Sequence, residues 1–223
     1  MLLDAFGTLV ALEPPAPRLR SELRRTIGLE LSAEAAETAF RAEIAFYLDH
    51  HLEGADERSL DDLRDRCAGV IAEALALERR ALPGVREAML ASLRFSAHPD
   101  AAPALRALRA RGLRLVVASN WDCSLPQVLE DAGLAPLVDD VVSSATVGAA
   151  KPDPAVFEAA LAAAGAGPVD AVHVGDSLVN DVEGACAAGV RGVLLDRSGG
   201  DPRPGVETIG SLDDLASLLL ASP

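Results

Sequence analysis

From residue 101 onward, stretches of helix-forming residues alternate with short runs of β-branched and aliphatic ones. This alternation limits the possible folds more than any other feature of the chain. It predicts helices over 101–110, 124–132, 154–164 and 182–188, and strands over 113–118, 138–143, 169–174 and 192–195. Strands that recur after each helix are parallel, so the pattern predicts an α/β fold built on a parallel sheet. Leu2 and Leu3 at the very start read as one more strand of that sheet.

Between this first strand and the rest of its sheet lies a different regime. Glu13-Pro14-Pro15-Ala16-Pro17 reads as a linker, because proline neither continues a strand nor fits a helix interior. Residues 18–93 are rich in Ala, Leu, Glu and Arg with apolar residues at three- and four-residue spacing, which predicts about four helices. Ser32 and Ser59 are expected N-caps, and Pro83 is expected to open a helix after the break at Leu82-Pro83-Gly84. The expected division is therefore a core of residues 1–13 and 98–223 with an inserted α-helical cap over 14–97.

Half the 223 residues are hydrophobic, enough for a substantial core. Thirty-four acidic residues against twenty basic ones give a net charge of −14, which argues against nucleic acid or an anionic membrane as partner. A small molecule, anionic by the chemistry below, is the expected partner. No segment looks secretory or membrane-spanning, so a cytoplasmic location is expected, and Met1 stands so near the first strand that the natural chain is expected to begin upstream. The three cysteines are widely spaced and read as reduced thiols. Nineteen of the twenty basic residues are arginine; the single lysine, Lys151, suggests a place where a compact ammonium is required.

Ligands of open α/β sheets bind beyond the carboxyl ends of the strands, which directs attention to the residues following each strand. Asp4 and Thr8 follow the first, Ser119-Asn120-Trp121-Asp122 the second; Lys151 lies near the third, and Asp176 through Asp181 follow the fourth. Each has a bland alternative as a cap, a turn or a solvated charge. Together they place a carboxylate nucleophile, hydroxyl and amide donors, one ammonium and two further acids on one sheet edge. That set fits phosphoryl transfer. Asp4 attacks phosphorus, while Thr8, Ser119, Asn120 and Lys151 hold the phosphoryl oxygens. Asp176, and Asp181 as a further candidate, are expected to hold Mg²⁺ together with Asp4, because two anions meet only when charge is neutralised. Trp121 and Asp122 are expected to line the substrate pocket, and Tyr47, on a helical stripe with Glu43 and His50 or His51, is a further pocket candidate whose alternative is a solvated helix face.

Four ordered motifs carry a family resemblance: Asp4-Ala-Phe-Gly-Thr8, Val117-Ala-Ser-Asn120, Lys151-Pro-Asp-Pro154 and Gly175-Asp-Ser177 through Asp181. The chain resembles the haloacid dehalogenase superfamily of hydrolases over nearly its whole length. The resemblance implies a Rossmann-like core and a helical cap closing over the site. The pattern departs at Phe6, where most phosphatases of the superfamily carry a second Asp as general acid and base. Phenylalanine offers only its backbone carbonyl to Mg²⁺ and its ring to the substrate. An aromatic residue there also resembles the metal-independent 2-haloacid dehalogenases, the alternative enzyme reading. A third reading is a weakly catalytic domain that binds a phosphorylated ligand or a protein partner.

Overall fold

The computed structural model describes residues 1–200 and 203–218. It divides into two compact units, Met1–Ala11 with Ser96–Pro223, and Leu12–Phe95. The strands are β1 (Leu2–Leu3), β2 (Val10–Leu12), β3 (Phe95–Ala97), β4 (Val116–Ser119), β5 (Asp140–Ser143), β6 (Val172–Gly175), β7 (Arg191–Leu195) and β8 (Thr208–Ile209). Six of them form one sheet in the order β5-β4-β1-β6-β7-β8, paired in parallel, and β2 pairs with β3. The α/β parallel sheet expected from the alternation, and the Rossmann-like core that the resemblance implies, are observed.

The two-residue strand β1 lies at the centre, with Leu2 opposite both Val116 and His173 and Leu3 opposite both Val117 and Val174. Such a short strand persists because both leucines are fully buried and flanked on each side by a hydrogen-bonded neighbour. One core cluster joins Leu2, Val116 and Ala118 to Phe157, Ala160 and Leu161. At ~1.5–3 kcal/mol for each large apolar side chain removed from water, this layer fixes the central strands in place. Because β1 has β4 on one side and β6 on the other, chain order reverses around it, and a crevice at the carboxyl ends follows.

The second unit contains α1 (Pro15–Ile27), α2 (Ala33–His50), α3 (Glu57–Ala74) and α4 (Leu82–Ser92), with α1 packed on α4 and α2 on α3. Three local expectations change. Pro15 and Pro17 open α1 rather than forming a linker, since the first turn of a helix has no intrahelical use for an N–H. Asp56, not Ser59, is the N-cap of α3; Ser59 stands at the third helical position and completes a capping box with it. The face of α2 that carries Glu43 is not solvated: Glu43 is 3 % exposed and hydrogen-bonded to the buried Cys67 on α3. Burial pushes its carboxyl up to about 7, against the pull of that hydrogen bond.

Candidate active site

Asp4 follows β1 directly, and its N–H bonds to the Val174 carbonyl of β6 (2.9 Å). The residue is 5 % exposed. One oxygen, Oδ1, accepts bonds from Ser119 Oγ at the end of β4 (2.8 Å) and from Lys151 Nζ (2.7 Å). Lys151 is 4 % exposed, and its ammonium reaches Asp181 Oδ1 at 2.5 Å as well. Burial opposes its charge, but the two carboxylates outweigh burial and hold the ammonium protonated beyond the usual lysine range.

Asn120 faces the same lysine from the backbone side. Its amide donates to the Lys151 carbonyl (2.9 Å) and accepts from the Lys151 N–H (2.7 Å), so it sets where the ammonium stem begins. Both oxygens of Asp181 are already engaged, Oδ1 by Lys151 and His173 (2.9 Å) and Oδ2 by the Ser177 N–H (2.9 Å). Asp181 is ionised well below the usual carboxylate range, because His173 and Lys151 overcome the cost of burial. An ionised carboxylate only accepts, so His173 donates through Nε2. Burial lowers the His173 pKa, and the ring stands neutral with its Nδ1 unpartnered among the described residues. Sequence reasoning passed over this histidine, which stands between the valines of β6 and looks like a member of an apolar strand.

Asp176 remains exposed, yet the protein around its carboxyl and the neighbouring Asp4 and Asp181 raise it to about 6. Asp4 is raised too, first by burial and then by Asp181, with Lys151 and Ser119 opposing. Oxygens of Asp4, Asp176 and Asp181 lie within 4.8 Å of one another. Three carboxylates so close, two of them resisting ionisation, form a set of hard donors that fits a divalent cation, whose charge would relieve the repulsion. Two glycines make the approach possible. Gly7 adopts φ +79°, and a Cβ on it would collide with the Asp176 carboxylate; a Cβ on Gly175 would collide with that of Asp181.

The remaining expected residues are placed as follows. Thr8 is fully buried, with its hydroxyl unpartnered among the described residues. Phe6 is 49 % exposed and meets the buried Trp121 edge-on at 6.3 Å between ring centres. Asp122 is buried and accepts the Ser124 N–H (2.7 Å), where it shapes the turn before the helix Leu125–Asp131. Tyr47 belongs to α2 in the helical unit, with its ring 6.1 Å from that of His51.

The profile of the haloacid dehalogenase-like hydrolases matches residues 1–189. The chain belongs to this family. It is 41 % identical over 124 residues to phosphatase MT3486 of Mycobacterium tuberculosis, a match covering 55 % of each chain, so the aligned stretch spans about half the length of that relative. It is 34 % identical over 197 residues to the phosphoserine phosphatase of Thermus thermophilus, covering 88 % of this chain and 70 % of that one. The fold is also that of the 2-haloacid dehalogenase from Pseudomonas syringae, at TM-score 0.69 and 23 % identity, covering 98 % of this chain and 96 % of the other. As a haloacid dehalogenase-like protein the chain is a hydrolase. No helix among its described residues is long and apolar enough to cross a membrane.

Proposed function

We propose that this hydrolase releases phosphate from a small phosphorylated molecule, with Asp4 as nucleophile and Mg²⁺ as cofactor. The observation that carries the reading is the cluster of Asp4, Asp176 and Asp181 within 4.8 Å, faced by one ammonium. Three carboxylates against one lysine repel an anionic substrate unless a cation is added. When bound, Mg²⁺ supplies the charge neutralisation that lets carboxylate and phosphate meet. Asp4, Asp176 and the Phe6 carbonyl are the proposed ligands, and Asp181, with both oxygens occupied, orients Lys151 and stands behind them.

The chain's own groups divide the rest of the work. Ser119 and Lys151 hold Asp4 Oδ1, which leaves Oδ2 to attack phosphorus. The P–O bond to the leaving group breaks as the Asp4–phosphorus bond forms, and water then attacks phosphorus to regenerate the carboxylate. Lys151 stabilises charge on the transferred group, Thr8 offers its unpartnered hydroxyl to it, and Asn120 acts through Lys151 rather than on phosphate. The helical unit is the proposed cap, with Tyr47 among the residues proposed to select the substrate. Relatives that bear phosphatase names support this reading.

Phe6 qualifies the substrate. Without a carboxyl two residues after the nucleophile, the leaving group departs as an anion and takes its proton from water, a loss of ~10²–10⁴-fold for poor leaving groups and far less for good ones. The same ring, exposed beside Trp121, favours the second reading, displacement of halide from a 2-haloacid. A panel of phosphorylated metabolites and haloacids, assayed with and without Mg²⁺, separates the two. Phosphate release that requires Mg²⁺ is expected; chloride release from 2-chloropropionate without metal would reverse the assignment.

A further inference from the structure

The turn after Asp4 closes on itself and leaves the Gly7 and Thr8 carbonyls outside its own hydrogen bonds. Gly7 N donates to the Val10 carbonyl (2.9 Å), and the N–H groups of Thr8, Leu9 and Val10 converge on the Ala5 carbonyl (3.3, 2.8 and 2.9 Å). The carbonyls of Gly7 and Thr8 both go to one distant side chain. Arg197, just beyond β7, donates from Nε to Gly7 (3.2 Å) and from Nη2 to Thr8 (2.8 Å). The same guanidinium forms a two-point ion pair with Asp100, Nη1 to Oδ2 at 2.8 Å and Nη2 to Oδ1 at 3.0 Å. Asp100 Oδ2 is fixed in turn by Ser211 Oγ and the Leu212 N–H, each at 2.9 Å.

The four bonds of this guanidinium exceed the three donors of a lysine ammonium and use the planar fork of arginine. The turn so held is no ordinary loop. Gly7 packs so closely on Asp176 that a Cβ has no room, and the next residue, Thr8, carries the buried unpartnered hydroxyl. A shift of this turn would therefore move the Phe6 carbonyl, the Thr8 hydroxyl and Asp176 together. Asp100 also follows β3, where the returning chain is tied to the outgoing one through His98 N and the Leu9 carbonyl (2.9 Å).

We infer that Arg197, braced by Asp100, is a positioning residue that holds the Gly7–Thr8 turn in its working geometry. What the turn serves rests on the phosphatase reading above; its dependence on Arg197 does not. The test uses the full chain as wild type, Arg197→Ala, Arg197→Lys and Asp100→Asn, with p-nitrophenyl phosphate and Mg²⁺, thermal melting, and hydrogen exchange of residues 5–10. Arg197→Ala is expected to lower kcat by about 10²-fold, the scale of a misplacement near 1 Å, with a smaller change in KM. Added guanidinium should recover part of kcat, Arg197→Lys should behave like the alanine variant, and Asp100→Asn should lie between. Exchange should quicken in residues 5–10 while the protein remains folded. A kcat within about twofold of wild type, or one that falls only in step with melting temperature and ignores guanidinium, overturns the inference. If wild type releases phosphate neither from p-nitrophenyl phosphate nor from any other phosphorylated substrate of the panel, the phosphatase reading fails, and unchanged exchange over residues 5–10 in Arg197→Ala and Asp100→Asn still overturns the role of Arg197.

Discussion

Replacing Lys151 by methionine keeps a long unbranched side chain and removes one buried charge. The ammonium lies 2.7 Å from Asp4 Oδ1 and 2.5 Å from Asp181 Oδ1. At an effective dielectric near 20 each contact is worth about 6 kcal/mol before desolvation is subtracted. Taking one partner out of a buried pair costs about 3–5 kcal/mol after that subtraction, because the carboxylates left behind are uncompensated. For a chain of this size that is a fall in melting temperature of roughly 6–20 °C at pH 8. The fall should shrink as pH is lowered, because Asp4, already raised by burial, protonates more readily and relieves the repulsion. A second consequence is less intuitive. The ammonium competes with a cation for Asp4, so Lys151→Met should bind Mg²⁺ more tightly than wild type while losing turnover. Melting curves with and without Mg²⁺, with calorimetric titration, measure both effects. Wild-type melting at pH 8, or weaker Mg²⁺ binding in the variant, would refute the electrostatic account.

Phe6→Asp restores a proton donor at the leaving-group position and should raise kcat/KM on alkyl phosphates at least about 10-fold, with a smaller gain on p-nitrophenyl phosphate; equal gains on both, or none, would count against a site lacking only its acid. Glu43→Gln tests the helical unit independently of catalysis. Since burial raises the folded Glu43 carboxyl to about 7, above its unfolded value, its favourable neutral form is complete below about pH 4.5 and lost as pH rises through 7. The variant should therefore exceed wild type by about 3 kcal/mol at pH 9 and lose that advantage at pH 4 in denaturant titrations, whereas a pH-independent difference would contradict the assignment.

The core was legible because buried parallel strands are written as short apolar runs such as Val116-Val117-Ala118, each followed by a polar residue that tertiary contact then uses. Asp4, Ser119, Lys151 and Asp181 come together through bonds spanning 30 to 147 residues, which motif order conveyed where local pattern could not. Other features were hidden for physical reasons. His173 has a helix-free apolar strand around it and a polar role that only its neighbour Asp181 reveals. Arg197 is one of nineteen arginines, and its partner Asp100 lies 97 residues away. Pro15 carries the same letter whether it breaks a strand or opens a helix, and here the helix that follows it decided. Glu43 shows the opposite error: an acidic residue on a helix reads as solvated, but its packing against Cys67 buries it.

The central claim, phosphoryl transfer to Asp4, is tested most directly by turnover in ¹⁸O-labelled water followed by mass spectrometry of both product and protein. Attack of water on phosphorus returns Asp4 with its original oxygens, so the account predicts label in released phosphate and none in the peptide containing Asp4. Displacement at carbon leaves an ester whose carbonyl is attacked by water, and label appearing in the Asp4 carboxylate after a single turnover with a 2-haloacid, with no Mg²⁺-dependent release of labelled phosphate from any phosphorylated substrate, would contradict it.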